Sequence, residues 1–299
     1  MKNLILFTIL FSLSVFKTIA QKTDYNIIFL DGYFSKYAKL AQENNDDLKN
    51  LYQKEVQNRV FQKFFMQSEY SSFIYLDLAR PHNDIPYLKK TIAAISTHKK
   101  EIEKTIFKTV KKCNAILPST TLTIYIAPPS SKFKTVLPMM DGVYGFTAGS
   151  QQILISIDPN NEGWKEMLAY AVAHEYHHAY WTKENFAKLT EWTLLDYLVF
   201  EGKGDYFAKQ LYPKVDTPWT KALTDEKKDE LWSRVLPELQ NQDFSFQTEV
   251  MFGSDNFPFW GGYTLGYDIV QGYLSKNETL SPLKWVNFSS NKVLKGSAF

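Results

Sequence analysis

The segment Ala171–Trp181, AVAHEYHHAYW, constrains the fold more than any other stretch of the chain. It places three histidines and a glutamate among small apolar residues, a combination that is costly to bury without partners. On a helix, His174 and His178 stand at i and i+4 and share one face. Two imidazoles so placed can bind one metal ion through nitrogen, and Glu175 can reach a water on that ion. The segment is H-E-x-x-H, with Glu175 as the expected general base. His177 cannot share the ligand geometry of its neighbour and reads as a flanking residue. His82 and His98 carry no such signal.

A catalytic zinc needs a third protein ligand and one open position. The chain has one cysteine, Cys113, so that ligand is His, Asp or Glu. The same count excludes an intramolecular disulfide framework and a cysteine-based zinc ribbon. In H-E-x-x-H-x-x-G-x-x-H the last Gly and His would fall at 181 and 184, where Trp181 and Glu184 stand. Downstream, LDYLVFEGKGDYFA puts Glu201 on the next predicted helix, which can return antiparallel past the first. Glu201 is the favoured ligand, with Asp196 and Glu191 as alternatives. Asp205 shares the face of Glu201 and can accept a hydrogen bond from a ligand histidine. Farther on, FPFWGGYTLGYDIVQGY presents Tyr263 and Tyr267 from one helix face. Either hydroxyl can stabilise an oxyanion, and Tyr267 is preferred over Tyr263.

Residues 1–20, MKNLILFTILFSLSVFKTIA, have the charge, apolar run and small terminal residues of a cleaved export signal. The expected mature protein is soluble, and periplasmic or secreted. Residues 21–115 read as a helical region, with amphipathic spacing over 87–113 and a lysine-rich solvated face. Residues 116–299 read as the catalytic part. TLTIYI (121–126) and QILISI (152–157) alternate as strands. Glycines 142, 145 and 149 mark a connection between them. Helices are predicted over 164–181, 189–212, 224–240 and 262–275, with a loop over 243–260. The fold class is α+β, mainly helical. Lys plus Arg number 34 and Asp plus Glu 32, so nothing in the charge favours nucleic acid.

HEYHH, then EGKGD, then WGGYTLGY resemble the YjaZ-like family of predicted zinc-dependent proteases, a gluzincin-type group. The resemblance covers about residues 120–275. It implies a zincin-like fold with a small sheet beside the active-site helix, zinc on His174, His178 and Glu201, and Glu175 as general base. Relatives carry an apolar residue and Ala where Lys203 and Gly204 stand, which puts the substrate-facing surface there in question. By the same analogy, residues 151–158 form the sheet edge that pairs with an extended substrate. The expected activity is peptide-bond hydrolysis by a zinc-activated water, on a peptide or protein substrate. Zinc-dependent hydrolysis of a non-peptide amide and a catalytically inactive metal-binding interaction protein are the alternatives.

Overall fold

A computed structural model describes residues 24–43, 47–119, 121–130, 133–189 and 191–299. The export signal read in residues 1–20 lies outside them. The described chain is mainly helical around one four-stranded mixed sheet, as its alternating and 3.6-periodic segments imply.

Strand β1 (Asp24–Phe29) leads into α1 (Asp31–Glu43). Helices α2 (Leu48–Tyr52) and α3 (Asn58–Val60) run together through π-turns, and α4 (Ser71–Leu78) follows. The long α5 (Ile85–Ile116) starts where Asp84 accepts a hydrogen bond from the Tyr87 amide at 2.9 Å, with Pro86 in the first turn. Then come β2 (Thr121–Ala127), β3 (Val143–Gly149) and β4 (Gln152–Ile157). The sheet order is β1-β2-β4-β3, with β1, β2 and β4 parallel and β3 antiparallel to β4.

The strand sequences alternate because both faces are covered. Leu122, Ile124, Ile126, Ile153, Ile155 and Ile157 join one core, while Tyr125, Ala127 and Leu154 join the other. Helices α1 to α4 cover the second face. The first face carries the inner half of α5, α6 (Trp164–Asn185) and α7 (Leu194–Leu211). Behind them lie α8 (Asp225–Val235), α9 (Phe244–Phe252), α10 (Gly261–Ser275), α11 (Pro282–Trp285) and α12 (Ser290–Gly296).

Four sequence expectations change. Residues 24–29 are a strand rather than part of a helical region, and they pair with β2 along their whole length. The glycine-marked connection before β4 contains a strand, β3. That strand forms the sheet edge, so β4 lies inside the sheet and residues 152–157 are not the edge. The predicted loop over 243–260 contains α9, capped by Asp243 accepting from the Phe246 amide at 3.0 Å.

The closest helix contact is between α7 and α10. A methyl group on Gly202 would stand 2.1 Å from the Gly266 carbonyl oxygen, and one on Gly266 would stand 2.2 Å from that of Leu198. The two glycines therefore set how near α10 comes to α7.

Candidate metal centre

Helix α6 is buried on nearly every side over its middle, which explains the unbroken apolar run Met167–Ala173 before the histidines. It packs against β3 and against α7. Helix α7 begins with a capping box in which Thr193 and Asp196 satisfy each other's amides. Asp196 also accepts from the Ser290 hydroxyl at 2.6 Å. This alternative ligand is thus committed to the helix start, and Glu201 comes forward two turns later.

The Nε2 atoms of His174 and His178 lie 2.8 Å apart. Glu201 Oε2 is 3.3 Å from the first and 3.7 Å from the second. The three ligand atoms all fall within 4.8 Å of one another. A tetrahedral zinc with bonds of about 2.0–2.1 Å holds neighbouring ligand atoms roughly 3.3 Å apart, so this donor set fits one such ion. Two imidazole nitrogens and a carboxylate are also the donors zinc prefers.

The ligands are oriented by what lies behind them. Asp205 Oδ1 is 3.2 Å from His174 Nδ1, which leaves Nε2 for the metal. The same oxygen accepts from the Tyr170 hydroxyl at 2.8 Å and the Trp219 indole at 3.0 Å. The His178 ring is held differently, stacked on Phe200 at 3.8 Å between centroids. A methyl group on Gly204 would sit 2.8–2.9 Å from atoms of both imidazoles, so the glycine makes room for the rings. The neighbouring Lys203 turns away from the site. Its Nζ is buried and donates to the carbonyls of Val286 and Phe288 at 3.1 and 2.6 Å. The EGKGD departure thus concerns ring packing and a C-terminal tether rather than a substrate-facing surface.

Burial alone raises the pKa of Glu201, but hydrogen bonds from His174 and His178 outweigh it and hold the carboxylate at about 2. Burial also opposes charge on His174, and Asp205 with Glu201 overcomes it, raising the pKa well above the imidazole value. Glu175 is buried on the same helix, and burial raises its pKa against the pull of the two histidines. The Thr147 hydroxyl of β3 donates to Glu175 Oε2 at 2.7 Å. A methyl on Gly145 would meet Glu175 Cγ at 2.6 Å, so the edge strand lies directly against this carboxylate. Sequence reasoning missed Thr147 because the glycines around it hid the strand.

Of the two tyrosines on α10, Tyr263 feels the charges of Glu201 and Glu175 and is raised well above its usual range, chiefly by burial. Both tyrosines feel Asp205, and Tyr267 also feels Tyr206 and Asp268. His177 is fully buried, stacked on Trp285 at 5.5 Å, and kept neutral by burial and then by His178 and Lys203.

A family model described as "Predicted Zn-dependent protease (DUF2268)" matches residues 102–295. A protein of Bacillus subtilis (strain 168), named as the uncharacterized protein YjaZ, is 28% identical over 114 residues. That similarity covers 36% of this chain and 42% of the relative, so less than half of the relative's length is matched. No solved structure matches.

Proposed function

The chain belongs to the family of predicted Zn-dependent proteases, and from that premise we propose that it is a zinc peptidase of gluzincin type with a zincin-like catalytic core. The observation that carries this reading is the convergence of His174, His178 and Glu201 beside a buried Glu175 that lies under an edge strand. Zinc held by the three ligands would supply Lewis acidity toward a carbonyl oxygen and a water.

The protein's own groups do the rest. Glu175 Oε1 or Oε2 takes a proton from the attacking water and returns it to the leaving amine. Thr147 fixes the carboxylate through Oε2. Tyr263 stays protonated and donates to the oxyanion as the carbonyl carbon becomes tetrahedral. An extended peptide adds to the edge of β3, which favours a peptide over a small non-peptide amide. A leader in residues 1–20 directs the chain out of the cytoplasm, to the periplasm or medium. Cys113, buried and pushed up by burial, is inert there.

The test measures zinc content and hydrolysis of a mixed peptide set by the wild type and by Glu175→Gln. We expect one zinc in each and a loss of rate of about 10²–10⁴-fold or more in the variant. Hydrolysis retained by Glu175→Gln removes this residue from the mechanism. A metal-free protein after metal-replete purification sinks the zinc reading.

A further inference from the structure

The edge of β3 forms one wall beside the metal centre and α7 with α10 forms the other, and two aromatic side chains that the chemistry above leaves unused meet across the groove between them. Phe73, in the first turn of α4, and Phe244, the first residue of α9, meet ring to ring at 5.2 Å. They are 47% and 46% exposed, so neither is placed by the core. They come from opposite walls. Helix α4 packs on β3, the upper wall, whereas α9 packs on α7 and α10, the lower one.

Each wall holds its aromatic firmly. The Tyr70 amide donates to the Ala148 carbonyl of β3 at 2.9 Å, and its hydroxyl is hydrogen-bonded to that of Thr182, one turn beyond His178, at 3.1 Å. Its ring packs between Phe73 and Phe186 at 6.3 and 5.3 Å. On the other wall, buried Gln247 ties α9 to the entrance of α7 by donating to the carbonyls of Trp192 and Asn241 at 3.0 and 2.9 Å.

The direction of β3 says which part of a substrate meets this contact. The strand runs from Gly145, beside Glu175, to Ala148, beside Tyr70. A peptide added in the antiparallel sense, the more stable pairing per residue, runs the other way. Its residues before the scissile bond lie toward Ala148 and the Phe73–Phe244 contact. Gly145 and Ala148 are three residue steps apart, about 10 Å at the usual rise.

We propose that Phe73 and Phe244 close the groove at this end, so that the enzyme takes peptides with no more than about three residues before the scissile bond. The substrate class is then the N-terminus of an unstructured peptide, trimmed by short fragments. Cuts in the interior of long chains are excluded. This inference rests on the peptidase reading.

The experiment uses the zinc-loaded full chain on a library of unstructured peptides of mixed sequence, with products sequenced by mass spectrometry. The wild type should release N-terminal fragments of about one to three residues. Phe73→Ala, Phe244→Ala and the double variant should raise the ratio of interior to N-terminal cuts about tenfold or more. Both positions are half exposed, so the variants are expected to fold. Phe244→Leu, which keeps an apolar side chain there, provides a second reading if an alanine variant does not. Interior cuts by the wild type, release of short C-terminal fragments instead, or an unchanged ratio in every variant would each overturn the closure. If zinc-loaded wild type and variants all leave every peptide intact, the peptidase reading itself fails and this inference falls with it.

Discussion

At the scale of single residues, Gly204 separates two demands that usually run together. Helix propensity favours alanine over glycine in a helix interior by about 1 kcal/mol. Yet a methyl group at 204 would stand 2.8–2.9 Å from atoms of both ligand imidazoles. Gly204→Ala should therefore gain helix propensity but force both rings to shift, so that the metal-free protein is no more stable than the wild type and zinc binds about tenfold or more weakly. Thermal unfolding of the metal-free protein and competition against a chelator measure the two effects separately. Asp205→Asn tests the other support. Asn presents a neutral oxygen to His174, Tyr170 and Trp219, and zinc affinity should fall about 10–100-fold. An unchanged affinity would show that stacking and packing alone set the His174 ring. The pairing of His174 with His178 was legible in the sequence because i, i+4 spacing maps directly onto one helix face, and Glu201 does come to them from the next helix. Spacing alone does not rank Tyr263 against Tyr267, because both project from one face of α10. The Gly202–Gly266 contact brings α10 to α7, and with it Tyr263 into the field of both site glutamates.

Elements were legible where their period was clean and hidden where glycine or short length broke it. β2 and β4 alternate and were read correctly, while α5 emerged from its apolar spacing after Pro86 and α6 from the histidine-bearing segment after the end of β4. β3 was hidden by Gly145 and Gly149, of which the first is dictated by Glu175 rather than by strand propensity. α9 was hidden because Phe244 and Phe252 are exposed while Gln247 is buried, the reverse of an amphipathic helix. The junction of α4 and α5 carries a prediction of its own. Asp77 and His82 line one water-sized cavity with Tyr52, Arg80 and Tyr144. Burial raises Asp77 to about 6 against the pull of Arg80, and burial lowers His82 to about 3. Between pH 6.5 and 3 the unfolded chain binds a proton at residue 82 that the fold refuses, so His82 costs stability as pH falls. Between pH 6 and 3.8 the fold binds a proton at Asp77 that the unfolded chain releases, so Asp77 adds stability as pH falls. The two slopes oppose each other over pH 6 to 3.8. Asp77→Asn removes one of them and should expose a loss of about 1.4 kcal/mol per pH unit on acidification across that window. Urea unfolding at several pH values measures it, and parallel profiles for variant and wild type would refute the opposition.

For the whole molecule, the family match begins inside α5 and runs almost to the C-terminus, while the chain before it supplies β1 and the helices on the far face of the sheet. A boundary drawn at residue 115 falls in the last turn of α5, a helix that shares the first core with β2. Among the described residues no helix is long and apolar enough to cross a membrane. This architecture decides how the protein should respond to losing its metal. Small zinc domains unfold without the ion because it replaces a core they lack. Here both sheet faces carry apolar cores, and α6 is tied to α7 through Tyr170 and Asp205 without any ion. In the metal-free state a proton on His174 pairs with Glu201 and Asp205, so no ligand charge is stranded. Chelation should therefore leave the far-UV circular dichroism unchanged. It should lower Tm only by the binding free energy released. Zinc at a hundred times its Kd contributes about 2.7 kcal/mol, which corresponds to roughly 4–5 °C in a chain of this size. The shift should grow with zinc concentration and vanish in His178→Ala. Global unfolding on chelation would instead make the ion a structural element and count against a site built to hold it for chemistry.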